Sequence, residues 1–189
     1  AVGRRVLIIG ANLRRPGLGR ALGINLGMPG LGEILSGADP ASVVSTVSPN
    51  IDLITAGAPE HRVFERLSGD RLDAVLRWAN DHYDFVIVDG PPSVVAGEAL
   101  TIANKVDASM IVTRAWKDQR GLVMKLAGQL LESRSQFLGV MLNRMHMTAG
   151  GYLRKNAEAM AEYAERTAAF GGSDNLPEQT KRKSKPKAT

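Results

Sequence analysis

Asp89 closes the apolar run Phe85-Val86-Ile87-Val88 and gives way at once to Gly90-Pro91-Pro92. The opening run Val6-Leu7-Ile8-Ile9 breaks in the same manner into Gly10-Ala11-Asn12-Leu13-Arg14-Arg15-Pro16. Short apolar runs bounded by turn residues are the pattern of strands buried on both faces, and the carboxyl edge of such strands is where open α/β sheets bind ligands. The chemistry on offer there is that of charge, a carboxylate to hold a hard cation and arginines to hold an anion. Asp89 is the only carboxylate at these two edges. At the end of the first run, Gly10 and Asn12 carry no acid.

The elements that must position these residues follow from periodicity. Pro29-Gly30-Leu31-Gly32-Glu33-Ile34-Leu35 opens one short helix and Asp39-Pro40 starts another. Ile51-Asp52-Leu53-Ile54 reads as the second strand. Leu72, Val75, Leu76 and Ala79 repeat at i, i+3, i+4 and i+7, the stripe of a helix laid on a sheet. The strand ending at Asp89 follows directly. A helix near Ala99 to Asn104 leads to the strand Ala108-Ser109-Met110-Ile111-Val112. Leu122, Val123, Leu126, Leu130 and Leu131 then mark a long helix before Phe137-Leu138-Gly139-Val140-Met141-Leu142. Strands alternating with helices imply right-handed crossovers, hence an α/β fold with a mostly parallel sheet and helices on both faces. No internal repeat is present.

Composition narrows the function classes. At 189 residues and 44% hydrophobic content, the chain has length enough for one domain with a real core and some tail. Without cysteine there is no disulfide framework and no thiolate metal site. His61, His82 and His146 are scattered, which argues against a metal cluster. No apolar run approaches the roughly 20 residues of a membrane span, and the start does not resemble a signal peptide, so the chain reads as soluble. It begins at Ala1 rather than Met, almost directly before a strand, as a piece of a longer polypeptide would. The net charge of +5 sits in the last nine residues, where Lys181, Arg182, Lys183, Lys185 and Lys187 fall. Gly171 to Pro177 and the lysine run after it have nothing to bury and read as a disordered end. The tail is either a solvated end or an electrostatic contact for anionic lipid or nucleic acid.

Taken in order, these pieces resemble the bacterial tyrosine kinases (BY-kinases). Ile8-Ile9-Gly10-Ala11-Asn12-Leu13-Arg14-Arg15-Pro16 is similar to their second nucleotide motif, three apolar residues and then Asp-x-Asp-x-Arg. Val86-Ile87-Val88-Asp89-Gly90-Pro91-Pro92 is similar to their Walker B strand, three apolar residues and then Asp-x-x-Pro. Pro29-Gly30-Leu31-Gly32-Glu33-Ile34-Leu35-Ser36-Gly37 resembles the family's connector, and Leu53-Ile54-Thr55-Ala56-Gly57 its next strand and turn. Val106-Asp107 before one apolar strand and Leu142-Asn143-Arg144 after the last also fit. The likeness is collinear over roughly residues 4 to 145. It implies a P-loop NTPase-like fold of the deviant Walker type, ATP and magnesium as cofactors, and autophosphorylation on C-terminal tyrosines. It also implies a cytoplasmic place at the inner face of the bacterial plasma membrane, linked to a membrane polysaccharide co-polymerase, fused or separate, that controls capsule or exopolysaccharide chain length. A homo-oligomer and contact of the basic tail with an anionic membrane are expected; a nucleic-acid partner is not.

Three departures qualify what the resemblance implies. A phosphate loop needs glycines, a lysine and a following Ser or Thr, yet the only Lys followed by either is Lys183, in the tail. In the family that loop precedes the first motif, so its place is upstream of Ala1. Second, the family's two acids hold magnesium and help deprotonate tyrosine, whereas Gly10 has no side chain and Asn12 no charge. Asp89 then remains either as a magnesium-side carboxylate or as a structural hydrogen-bonding group. Arg14 and Arg15 have three readings: phosphate, a partner subunit or solvent. Arg14 and Asn143 are the expected cofactor contacts. Third, only Tyr152 and Tyr163 follow the last strand. Eleven residues are about three helical turns, so both rings would share a helix face, for packing or helix pairing or as phosphoacceptors.

The expected organisation is therefore an N-terminally incomplete BY-kinase domain over 1–147, a C-terminal helix over 148–170 and a basic tail over 171–189. The expected function is a tyrosine-kinase-like domain impaired or inactive in phosphoryl transfer. The alternatives are a non-catalytic pseudokinase interaction module and a partition or septum-site ATPase, which shares the sheet and the Asn after the last strand. A short-chain dehydrogenase, faintly suggested by Gly10, Gly17-Leu18-Gly19, Tyr152 and Lys155, has the wrong glycine spacing and the wrong Tyr–Lys interval. In the family the strand feeding the phosphate loop is central, so its absence would leave unpaired backbone groups and favour self-association.

Overall fold

The computed structural model of the chain describes residues 3–24, 27–92, 97–144 and 159. Tyr152, Tyr163, Lys155, the tail over 171–189 and, but for Ala159, the expected helix over 148–170 lie outside them. Two compact units divide the chain, and the first, Ala1–Asn143, holds the described elements.

Its central strand is β1, Val6–Gly10, a run rich in apolar residues with Leu7 and Ile9 fully buried. Helices α1, Leu18–Ala21, and α2, Leu31–Ser36, follow it, then a 3-10 turn over Pro40–Ser42. Asp39 starts that turn by accepting the Ala41 N–H, as its Asp-Pro sequence predicts. Strands β2, Ser45–Ser48, and β3, Ile51–Ile54, form an antiparallel hairpin. Ile51–Ile54 is therefore the third strand and not the second. Ser45–Ser48 carries no apolar run because it lies at the sheet edge, where half-exposed Ser and Thr suffice.

Helix α3, Val63–Ser68, leads to α4, Asp70–His82, whose Leu72, Val75, Leu76 and Ala79 are the buried stripe that the spacing predicts. Asp70 and Asp73 occupy its first turn and His82 its last, both favourable to the helix dipole. Strand β4, Phe85–Asp89, returns beside β1. The first sheet has the order β2-β3-β1-β4, with β1 parallel to both β3 and β4. After β1 the chain goes to one side for β3 and after β3 to the other for β4. The carboxyl end of β1 is thus a topological switch point, the place where such sheets open a crevice.

Helix α5, Glu98–Ala103, strand β5, Ala108–Arg114, helix α6, Arg120–Leu131, and strand β6, Gln136–Asn143, complete the unit. β5 and β6 pair in parallel as a separate two-stranded sheet. Helix α5 belongs to both cores, since Ile102 packs in the cluster under β1 and Ala103 in the cluster with Ile111, Leu126 and Leu130. Asp84 ties the start of β4 to β1: the backbone N–H of Arg5 and then the Arg4 guanidinium donate to its carboxylate and hold its pKa below the usual range. Among the described residues no helix is long and apolar enough to cross a membrane.

The strand ending at Asp89 reads from sequence as buried on both faces, but only Val86 and Val88 pack on the core, while Phe85 is 59% and Ile87 55% exposed. In β5, Met110 and Val112 are likewise exposed, at 48% and 57%. Among the described residues β4 ends its sheet and β5 pairs only with β6. The apolar composition of these strands therefore suits more cover than the described residues supply, and open edges of this kind associate. Replacing Ile87 and Val112 together with Thr should move self-association, followed by analytical ultracentrifugation, to at least about tenfold higher concentration. A wild-type chain that is monomeric and melts sharply would contradict this.

Candidate functional site

At the switch point the register places Gly10 of β1 directly opposite Asp89 of β4. The Ala11 N–H donates to the Asp89 carbonyl at 2.9 Å, which carries the pairing one residue past β1. A cleft of about 240 Å³ opens here, with Gly10, Asn12 and Asp89 on its walls. Arg15, Gly17 and Ala56 also line it, as do Leu18 and Ala21 of α1.

The walls are fixed from behind. The Leu31 and Gly32 N–H groups donate to the carbonyls of Thr55 and Ala56, locking the Pro29–Gly37 connector onto the end of β3. Gly30 is required for that approach, because a Cβ there would lie 2.3 Å from the Thr55 carbonyl oxygen. Its N–H donates to Glu33 at 2.7 Å, which satisfies the first turn of α2. On the other wall, Leu13 is fully buried and its carbonyl accepts the Glu60 N–H. The Arg15 N–H donates to Asn12 Oδ1 at 3.2 Å, an Asx-type turn that an aspartate would make equally well.

Asp89 stands at the rim, and partial burial alone raises its carboxyl pKa. No ion pair or side-chain hydrogen bond to it is found among the described residues. It is therefore a partly desolvated carboxylate without a counter-charge, the condition in which a cation is bound to advantage. Gly10 is not an open vacancy: a Cβ there would sit 3.1 Å from the Ala56 nitrogen and 3.6 Å from Leu18 Cδ2. An acid at position 10 would also face Asp89 on the same side of the sheet, and like charges side by side resist ionising together.

The structure separates the two arginines. Arg15 lines the cleft, whereas Arg14, the motif arginine expected to touch the cofactor, is bound by Glu98 of α5 at 2.5 and 2.9 Å. Glu98 is not legible from sequence because its partner lies 84 positions away, and a lone Glu at a helix start signals only a favourable dipole contact. Arg15 was readable as a site residue only by its place next to the motif. Asn143 ends β6 in the second sheet, where its carbonyl accepts the Ala115 N–H at 2.8 Å, and it does not line this cleft. Beside it Asp118 folds the turn after β5, accepting first the Arg114 N–H and then its guanidinium, which together lower its pKa.

As they stand, the lining residues do not fit a complete nucleotide–magnesium site. They offer one carboxylate and one arginine, with no lysine and no glycine cradle that a phosphate would occupy. What the cleft can do alone is hold a cation at Asp89 or an oxyanion at Arg15.

The raised pKa of Asp89 means that ionisation disfavours the folded state. Asp89→Asn should then stabilise the chain at neutral pH, by less than about 1 kcal/mol because the group is at the rim. The gain should fade as pH falls through the raised pKa toward the ordinary aspartate value, below which both forms are neutral. Thermal melts of both chains over pH check this, and a gain that persists at low pH would count against it. Asn12→Asp should leave the melting temperature unchanged, while Gly10→Asp lowers it by about 2–4 °C per kcal/mol of strain.

No protein-family model matches the chain. Among curated proteins it is 38% identical over 113 residues to the tyrosine-protein kinase etk of Escherichia coli K12, covering 59% of this chain and 15% of that protein. The chain thus spans about 15% of that relative's length. Among solved structures it superposes on the kinase domain of Escherichia coli tyrosine kinase ETK with a TM-score of 0.72 and 30% identity, over 80% of this chain and 60% of that one. The septum site-determining protein MinD of Pyrococcus horikoshii, solved with Mg-ADP, superposes with a TM-score of 0.64 at 23% identity, over 78% of this chain and 60% of that one. This last likeness is one of fold alone; with that to the ETK kinase domain it gives a P-loop NTPase-like fold. In sequence and in fold the chain is thus similar to the bacterial tyrosine kinases and their kinase domains.

Proposed function

We propose that the chain is the kinase-like part of a bacterial tyrosine autokinase that regulates capsule or exopolysaccharide synthesis and export, and that its own phosphoryl transfer is weak. It would work in the cytoplasm at the inner face of the plasma membrane, with a polysaccharide co-polymerase as partner and further copies of itself in an oligomer. Residues 1–147 would form the kinase-like domain, 148–170 a C-terminal helix bearing Tyr152 and Tyr163 as candidate phosphoacceptors, and 171–189 a basic tail for an anionic membrane.

The observation that carries this reading is the cleft that gathers Gly10, Asn12 and Asp89 at the switch point of a kinase-type sheet. ATP and magnesium are the cofactors of the intact family. Here Asp89 would be the cation-side carboxylate and Arg15 a phosphate contact. The missing cradle would come from a strand and phosphate loop preceding Ala1, seated between β4 and β5, whose edges, unpaired among the described residues, and apolar residues suit such a strand. Phosphoryl transfer rests on positioning and on charge stabilisation by metal and cationic groups, and a cleft with one acid in place of three is poorly equipped for both.

Gly10 and Asn12 also support a second reading, a pseudokinase that docks with the export machinery without transferring phosphate. Calorimetry of magnesium-dependent ATP binding, on this chain and on a version extended upstream through the preceding strand and loop, separates the two. Binding with tyrosine phosphorylation in the longer version alone is the result expected of a kinase, and Asn12→Asp in that version should raise its rate by about tenfold or more. Silence in both leaves the pseudokinase.

A further inference from the structure

Glu98 is 2% exposed, and its Oε1 takes two hydrogen bonds from Arg14, from Nε at 2.9 Å and from Nη2 at 2.5 Å. Its Oε2 has no hydrogen-bond partner among the described residues. A buried carboxylate with one cation is strongly dependent on that cation, because removing or withdrawing it leaves an uncompensated charge. Arg14 is therefore committed to Glu98 although its own side chain is 52% exposed. The commitment also fixes geometry. Arg14 lies on the chain that leaves β1, Glu98 on the first residue of α5 after the chain leaves β4, and the cleft opens between the ends of those strands. The planar guanidinium, held at two nitrogens, constrains both position and rotation. One residue on, the Arg15 N–H is held by Asn12, and Arg15 lines the cleft while Arg14 does not.

We propose that Glu98 is a positioning residue that keeps Arg14 out of the cleft and so makes Arg15 the cation presented to a phosphate-type oxyanion. The part concerning the oxyanion rests on the phosphate-site reading above; the hold of Glu98 on Arg14 does not. The pair acts as a clasp between the chain that leaves β1 and the start of α5. The neighbouring arginines thus have separate duties, one structural and one facing the ligand.

The test uses the full chain, labelled with nitrogen-15, and reads the Nε–Hε signals of the two arginines by NMR, assigned with Arg14→Lys and Arg15→Lys. The Arg14 signal should be protected from solvent exchange and should stay still when pyrophosphate is added, while the Arg15 signal exchanges freely and shifts. In Glu98→Gln, with folding verified by its melt, Arg14 should lose its protection by about tenfold and join the pyrophosphate titration. A merely structural pair would not transfer the titration from one arginine to both. Should Glu98→Gln fail to fold, the cycle with Arg14→Gln decides: adding Glu98→Gln to Arg14→Gln should restore the folding equilibrium by about tenfold, since the stranded buried charge is removed. Arg14 shifting with pyrophosphate in the wild type, or keeping its protection in Glu98→Gln, overturns the proposal. If pyrophosphate moves neither arginine, the oxyanion assignment and the phosphate-site reading fall together, and Arg14 protection in Glu98→Gln still decides the clasp.

Discussion

The structure turns on the parallel pairing of β1 with β4, which sets Gly10 beside Asp89 at the carboxyl edge of the sheet. Everything at the cleft follows from that register. A slip of one residue would turn Asp89 to the opposite face and carry it away from Asn12 and Arg15. The pairing is held by the apolar face of Leu7 and Ile9 against Val86 and Val88. It is pinned at its start by Asp84 on the Arg5 N–H and at its end by the Ala11 N–H on the Asp89 carbonyl. Packing and hydrogen bonds thus agree on one alignment, and Asp89 is carried to a rim where it is partly desolvated and has no counter-charge among the described residues.

Much of this was legible in the chain because buried strands and amphipathic helices write themselves as periodicity. The runs of β1, β4, β5 and β6 and the α4 stripe of Leu72, Val75, Leu76 and Ala79 are of this kind. The edge strand Ser45–Ser48 and the six-residue helix Val63–Ser68 were not legible, for opposite reasons. The first buries too little to need apolar residues, and the second is too short to show a period. β4 misled in a third way. Its composition suits cover on both faces, and composition cannot reveal that the described residues cover only one.

The candidate site was legible in part. Asp89, Gly10 and Asn12 were found from the ends of apolar runs, and the fold brings them to one cleft. The roles of the two arginines were not legible, since adjacent residues of one type are told apart only by tertiary partners. Glu98, 84 positions from Arg14, makes that distinction. Gly10 has a similar lesson. From sequence it is a lost acid; in the structure it is a position with little room, tight against the Ala56 nitrogen. The backbone packs closely around this glycine, so an acid there would bring strain as well as charge.

In the proposed function the cleft between the ends of β1 and β4 holds the cation and the phosphate, with Asp89 as its carboxylate. Paramagnetic broadening by Mn-ADP, in the version extended upstream and labelled with nitrogen-15, tests it most directly. The amide signals of Gly10, Asn12 and Asp89 should broaden first, and Asp89→Asn should abolish the effect. Broadening centred elsewhere, or unchanged by that substitution, would contradict it.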